Sequence, residues 1–214
     1  MKLYGYWRSS STWRVRIALA YKGLSWTDVP VSLIKDGGEQ HQESYRQING
    51  LAQVPSLALA PDLVLTQSMA ILEYLEERLP APALLPRDLV ERARVRQYAE
   101  IINSGIQPLQ NLSVLKKLAR EGHPDHRRWG REAIEQGLDT LNALCPQHSR
   151  GFLVGTQPSF ADLCLIPQLY NAKRFGCELS RWPRLLSAWD AAFKLDAFRS
   201  TRPENQIDAQ TQAA

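Results

Sequence analysis

The hydrophobic rhythm of the chain changes once, near residue 80. Before that point, short strand-like runs alternate with helical ones. Lys2-Leu3-Tyr4-Gly5-Tyr6-Trp7 is aromatic-rich and ends in polar residues, the pattern of a short strand. Ser9-Ser10-Ser11-Thr12 then offers N-cap oxygens to a helix carrying Val15, Ile17, Ala18, Leu19 and Tyr21, which stops at Gly23. Trp26 to Val31 predicts a second strand. Two strands separated by one helix make a βαβ unit, with parallel strands and a right-handed crossover. Lys35-Asp36-Gly37-Gly38 reads as a loop, and Ser44 to Ile48 as a weaker helical stretch. Pro55 opens a further strand at a position where a missing N–H is tolerated. Leu57-Ala58-Leu59 and Leu63-Val64-Leu65 flank Ala60-Pro61-Asp62 as a hairpin. Gln67-Ser68 opens a helix with Ile71, Leu72 and Leu75 on one face, which ends at Pro80.

Pro80, Pro82 and Pro86 punctuate the next stretch, which can neither continue a helix nor join a central strand. Beyond it the spacing is helical only. Val95, Tyr98, Ala99, Ile102 and Ile106 recur along Leu89 to Leu118, with a bend expected at Gly105 and Pro108. Arg131 to Leu144 and Trp182 to Phe193 predict further helices, and Ser159-Phe160-Ala161-Asp162 is a capping box ahead of Leu163, Leu165 and Ile166. Thr201 to Ala214 is polar and reads as a loosely attached tail. The fold class expected is α/β plus all-α: an α/β domain over 1–79, a linker over 80–86 and an all-helical domain over 87–214.

Composition narrows the function. The chain has 214 residues and a mass of 24.2 kDa. It is 44% hydrophobic and 22% charged, which describes a folded chain with a core in each half. No apolar run of about 18 residues exists, so no membrane span is expected. Arg8, Arg14 and Arg16 interrupt the only apolar stretch that could act as a secretory signal. Cys145, Cys164 and Cys177 form no paired framework, as expected of a reduced, cytoplasmic protein. The net charge of +4 arises entirely after residue 80, where 18 basic and 14 acidic residues stand against 8 and 8 before it. The densest basic cluster, Arg127-Arg128-Trp129-Gly130-Arg131, is short and lies in a helical pattern, so no nucleic-acid partner is expected. A pocket for a small anionic substrate fits the excess. His41, His123, His126 and His148 have no metal spacing, and no metal is expected.

The segment Arg8 to Arg16 carries the chemistry. One hydroxyl would suffice to cap the helix. Several, beside free backbone N–H groups and the positive end of the helix dipole, would stabilise an anion, and a thiolate over its thiol. No cysteine is nearby, so a thiolate must arrive with a ligand. Thioredoxin-type redox chemistry is excluded, because Ser9 and Thr12 stand where a CxxC pair would be.

With these residues in view, the chain resembles the zeta class of glutathione S-transferases, which includes maleylacetoacetate isomerases. The likeness rests on Ser9-Ser10-Ser11-Thr12-Trp13-Arg14-Val15-Arg16-Ile17-Ala18-Leu19, Leu33 to Gly38, Gln53-Val54-Pro55 and Gln67-Ser68. It continues through Gly105-Ile106-Gln107-Pro108-Leu109-Gln110-Asn111-Leu112-Ser113-Val114-Leu115 and through Ala161 to Cys164 and Asn171 to Phe175. It runs from residue 3 to about 200, with one departure: Ser11 stands where the family usually has cysteine. The resemblance implies a thioredoxin-like N-terminal domain and glutathione as cofactor. Ser9 would stabilise the thiolate with Ser10 assisting, and Ser11 would complete the catalytic set. Gln40, the backbone of Val54 before a cis proline, and Gln67 with Ser68 would hold the tripeptide, and Gln107, Asn111 and Ser113 would lie over the cleft. Arg8 and Arg174 would bind substrate carboxylates, for which a guanidinium fork is suited. A homodimer is implied as well.

The activity so implied is cis–trans isomerisation of maleylacetoacetate in tyrosine and phenylalanine catabolism. Rotation about a C=C bond is slow because the π bond must break, and a thiolate that adds and leaves again makes that bond transiently single. Maleylpyruvate isomerisation is the nearest alternative. The resemblance implies that enzymes of that kind carry arginines where this chain has Leu112 and Ser113. Transfer to, or dehalogenation of, small α-halo acids is another alternative, and a non-catalytic binding or stress protein a third.

Overall fold

The computed structural model describes residues 1–145 and 151–210, and His148 lies outside them. Contacts divide the chain into two units: Met1–Ala83 joined by the segment from Leu195 onward, and Leu84–Lys194.

The first unit is built on a four-stranded sheet of order β2-β1-β3-β4, with β1 at Lys2–Gly5, β2 at Thr27–Pro30, β3 at Ser56–Ala60 and β4 at Leu63–Thr66. Helix α1 (Ser10–Tyr21) crosses between β1 and β2, which are parallel as the βαβ reading requires. Two 3-10 turns, Lys35–Gly37 and Glu39–His41, and the short α2 (Glu43–Arg46) lead to β3, which runs antiparallel to β1. The hairpin β3–β4 feeds α3 (Ser68–Arg78). Strand β1 ends at Gly5 rather than Trp7. A Cβ there would collide with the Thr12 methyl, so only glycine lets α1 start so close to the strand.

Leu3, Ile17, Leu19, Leu57, Ile71, Leu72 and Leu75 are fully buried and form the core of this unit. Lys22 joins the end of α1 to the end of α3. Its ammonium donates to Glu76 Oε2 at 2.7 Å, Leu79 O at 2.6 Å and Pro82 O at 3.0 Å.

Among the described residues the second unit is helical throughout: α4 (Leu89–Glu100), α5 (Leu112–Arg120), α6 (His126–Leu144), α7 (Phe160–Arg174) and α8 (Pro183–Ala192). The expected bend between residues 89 and 118 is a full break. Helix α4 widens into a π-type turn at Ile101–Ile106, and the chain then leaves helical geometry until Asn111 caps α5. Pro108 explains the stop, having no N–H to return to the preceding turn. The capping box is present. Buried Asp162 accepts from Ser159 N at 2.9 Å, Ser159 Oγ at 2.8 Å and Leu153 N at 2.9 Å. Burial raises its carboxyl to about 6 against the pull of those bonds.

The polar tail departs from expectation. Helix α9 (Asp196–Ser200), a 3-10 turn at Pro203–Asn205 and α10 (Ile207–Gln210) belong to the first unit, not to the helical domain expected to run to 214. Through residue 209 the tail is also not loosely attached. Thr201, Pro203, Gln206, Asp208 and Ala209 are all buried. Helix α9 packs on α1, so a helix that reads as amphipathic is buried from Thr12 to Leu19, including Arg14 and Arg16.

Candidate functional site

Sheet register decides which loops meet. Tyr4 pairs with Ser56, Ser56 pairs with Thr66, and Gly5 pairs with Pro30. Neighbouring strands lie about 4.8 Å apart. The chain leaving β1 toward Ser9, the chain entering β3 from Val54-Pro55, the chain leaving β4 into Gln67-Ser68 and the chain leaving β2 toward Gln40 therefore share one end of the sheet. Segments as distant in sequence as Ser9 and Ser68 converge there.

Ser9 is the N-cap of α1, with Oγ accepting from Thr12 N at 3.2 Å. A hydroxyl that accepts in this way still has its own proton to donate. Ser10, Ser11 and Thr12 form the first helical turn, whose backbone N–H groups find no carbonyl partner inside the helix. Ser9, Ser10 and Ser11 are half-buried. Hydroxyl donors and the positive helix end thus share the same small region, which suits an incoming anion.

The start of α3 has a matching design. Gln67 precedes it with φ at +65°, a left-handed conformation uncommon outside glycine, and its side chain makes no cap bond. Strain of this kind concentrates at ligand sites. Buried Ser68 is the first helical residue, and its Oγ accepts from Nη1 of the fully buried Arg14 at 3.2 Å. A guanidinium beneath a helix N-terminus adds fixed positive charge where a carboxylate would dock.

Val54–Pro55 is cis, as the resemblance implies. The chain before it is tied down by Tyr45 Oη and Asn49 Nδ2, which donate to Gln53 O at 2.7 Å and 2.8 Å. Gln40 is buried beside Gly38; its Nε2 lies 3.1 Å from His41 Nε2, and its Oε1 has no hydrogen-bond partner. A buried acceptor left open is what a peptide ligand's N–H could satisfy. These features of the first unit fit a γ-glutamyl tripeptide: a carboxylate at the Ser68 helix start, a strand-like edge at Val54 and hydroxyls at Ser9.

Arg8 is half-buried, with its guanidinium 4.7 Å from the Trp7 ring centroid and Nη2 3.3 Å from Tyr6 Oη. Its buried Nε has no hydrogen-bond partner.

In the helical unit, half-buried Gln107 lies just after the π-type turn. Its Nε2 is 3.5 Å from Oε1 of the fully buried Gln168, which also exchanges bonds with Gln110 at 3.0 Å and 3.2 Å. Asn111 and Ser113 start α5, a correction to the single bent helix expected over residues 89–118, on which they were to lie. Asn111 Oδ1 accepts from Ser113 N at 2.9 Å and Ser113 Oγ at 2.8 Å. The local sequence Asn-Leu-Ser is an N-cap, and that cap engages both side chains. Arg174 closes α7 on the surface, with Nη1 donating to Asn171 Oδ1 at 3.1 Å.

Arg14 and Gln168 escaped the sequence reading. A signal for Arg14 existed, since an arginine inside a run of apolar helix residues must be buried or break the face. No local signal marked Gln168, whose partners Gln110 and Gln107 stand far back along the chain, beyond two intervening helices.

Comparison with known proteins agrees with this geometry. Residues 1–77 match the model of the glutathione S-transferase N-terminal domain, and residues 62–194 that of the C-terminal domain. Maleylacetoacetate isomerase of Rattus norvegicus is 46% identical over 96% of this chain and 94% of its own. A maleylacetoacetate isomerase from Anaeromyxobacter dehalogenans, solved with glutathione bound in its active site, superposes with a TM-score of 0.88. It is 45% identical and 97% of each chain is covered. A bacterial maleylpyruvate isomerase of the zeta class superposes at 0.91 with 37% identity, covering 98% of this chain and all of that one. The sheet-end constellation and these full-length likenesses lead to one assignment: the chain belongs to the glutathione S-transferase family, in its zeta class.

Proposed function

We propose that this protein is a glutathione-dependent cis–trans isomerase of maleyl-type diacids, with maleylacetoacetate its preferred substrate in tyrosine and phenylalanine catabolism. The observation that carries the reading is the Ser9 hydroxyl at the start of α1, with a proton to donate at the positive end of the helix. When bound, glutathione supplies the thiolate that adds reversibly to the conjugated double bond. The protein's own part is electrostatic. Ser9 donates to the sulfur and holds it as thiolate, and Ser10 and Ser11 add hydroxyl dipoles at the same helix end. Ser68, Gln67, Gln40 and the Val54 backbone anchor the tripeptide, with Gln107, Asn111 and Ser113 contributing from the helical unit. Arg8 and Arg174 bind substrate carboxylates. Ser11, in the family's cysteine position, means that no protein thiol takes part there.

Maleylpyruvate is the second reading, supported by the likeness to the zeta-class maleylpyruvate isomerase. Leu112 and Ser113 speak for the larger substrate, since neither can add a cation for a second compact diacid. A glutathione-dependent assay offering maleylacetoacetate, maleylpyruvate and a chloroacid side by side tests the assignment. Fastest turnover of maleylacetoacetate is expected, and preference for either of the others rejects it.

We also infer a homodimer in the cytoplasm. Each unit carries exposed apolar side chains, Leu51 and Leu63 in one and Leu89 and Val90 in the other, and the three cysteines are buried and form no disulfide. Sedimentation at micromolar concentration as a single chain, with a mass of 24.2 kDa, would refute the dimer.

A further inference from the structure

The loop that delivers Ser9 is held by a residue from the far end of the chain. The Trp7 N–H donates to Asp208 Oδ2 at 2.9 Å, across 201 positions of sequence. On its other side the Trp7 carbonyl lies 3.4 Å from Nη1 of buried Arg16, whose Nε pairs with Asp28 at 3.2 Å. The same residue's backbone is thus gripped from α1 and from α10. Ser9 follows two residues later, with its N–H on Tyr6 O at 3.0 Å, so any movement of residues 6–8 moves the Ser9 hydroxyl.

The tail is built to bring Asp208 there. Trp13 Nε1 donates to Thr201 Oγ1 at 3.1 Å, Pro203 and Gln206 are buried, and Gln206 Nε2 closes the turn on Arg202 O at 2.9 Å. Asp208 itself is 8% exposed, and its charge, together with that of Asp28, partly offsets the lowering that burial imposes on the Arg16 pKa. Burying a carboxylate is costly unless a defined set of donors offsets the loss of water. A tail needed only to cover α1 could have ended in apolar residues.

We propose that Asp208 is a positioning residue for Ser9: by holding the Trp7 backbone it sets where the activating hydroxyl stands. This rests on Ser9 being that hydroxyl. Displacements of about 1 Å in catalytic geometry can cost on the order of 100-fold.

The test compares Asp208→Ala, Asp208→Asn and Ser9→Ala as full-length proteins. Amide hydrogen exchange of the ligand-free protein should show faster exchange at Trp7 and Ser9 in Asp208→Ala. Titration of bound glutathione by its ultraviolet thiolate absorbance should show a raised thiol pKa in Asp208→Ala and in Ser9→Ala. The kcat of Asp208→Ala should fall about 10- to 100-fold with the KM for glutathione nearly unmoved. Asp208→Asn keeps an oxygen that can accept from Trp7 and should restore most of both signals. If Asp208→Ala does not fold, Asp208→Ser carries the same comparison. A normal thiol titration and kcat in Asp208→Ala, with both lost in Ser9→Ala, overturns the positioning role and leaves the tail a structural cover. A normal titration in Ser9→Ala overturns the Ser9 reading, and the role of Asp208 with it.

Discussion

Replacing Lys22 by methionine should be among the most damaging single changes available outside the site. The side chain of Lys22 is fully buried and that of Glu76 is 7% exposed, so the pair at 2.7 Å is shielded from water. Methionine keeps most of the aliphatic volume, which limits any cavity contribution. It removes the ammonium, leaving the Glu76 carboxylate without its buried counter-charge and the carbonyls of Leu79 and Pro82 without this donor. Breaking a buried pair from one side costs about 3–5 kcal/mol. With a urea m-value of about 2–3 kcal/mol/M, the denaturation midpoint should fall by roughly 1–2 M. The double variant Lys22→Met/Glu76→Leu removes both charges and should recover about 2 kcal/mol or more of that loss. Activity per folded molecule should change little, because Lys22 follows the twelve-residue α1 and so lies about 18 Å along the axis from Ser9. Equilibrium urea unfolding, followed by tryptophan fluorescence, reads all three proteins. A loss below about 1 kcal/mol in Lys22→Met, the range of exposed ion pairs, or no recovery in the double variant, would show that the pair behaves as a solvated surface contact and refute the reasoning.

Ser9→Ala should lower kcat about 10²-fold or more with glutathione still bound, and cost about 1 kcal/mol of stability because Thr12 N loses its cap. Steady-state kinetics with unchanged turnover would reject Ser9 as activator and point to Ser10. Arg174→Ala should reduce kcat/KM for the diacid roughly 30- to 150-fold, the loss of about 2–3 kcal/mol from one charged contact, with KM for glutathione nearly constant. Equal damage to both parameters would instead make Arg174 a support for the end of α7. The Asp162 carboxyl, raised by burial from 3.8 to about 6, binds a proton more tightly folded than unfolded. Its contribution to stability is therefore full below about pH 4 and is lost as pH rises through 6. Wild-type stability should fall by about 3 kcal/mol relative to Asp162→Asn across that window. A difference that grows with pH would show that the three hydrogen bonds, not desolvation, dominate.

Much of the candidate site was legible because its parts are local. Ser9 as N-cap, the Ser159–Asp162 box, the hairpin around Pro61-Asp62 and the helix opening at Ser68 each depend on close neighbours in sequence. A contact of that range leaves its mark in spacing. The order of elements before Pro80 also carried the parallel β1–β2 pair and the β3–β4 hairpin, whereas the antiparallel place of β3 beside β1 came from the packed sheet. The resemblance supplied the cis bond at Val54–Pro55, which composition and spacing leave open.

Tertiary structure decided what no window of sequence contains. The break at Pro108 was readable as a bend, but that Asn111 and Ser113 would commit their side chains to one cap depended on where the chain resumed its helix. Packing buries both Arg14 and Arg16 and makes one a support for Ser68 and the other an anchor for Trp7 and Asp28. Gln168 reads as a polar lapse in an apolar helix until Gln110 meets it from the break before α5. The tail shows the limit best: polar composition predicts loose ends, because each residue is judged by its affinity for water. Thr201 and Asp208 are instead buried against Trp13 and Trp7, where donors from the opposite end of the chain satisfy them. Local sequence thus sets helix starts, strand ends and turn chemistry through short-range sterics and hydrogen bonds. Which polar groups are buried, and what they then hold in place, is a property of the packed chain alone.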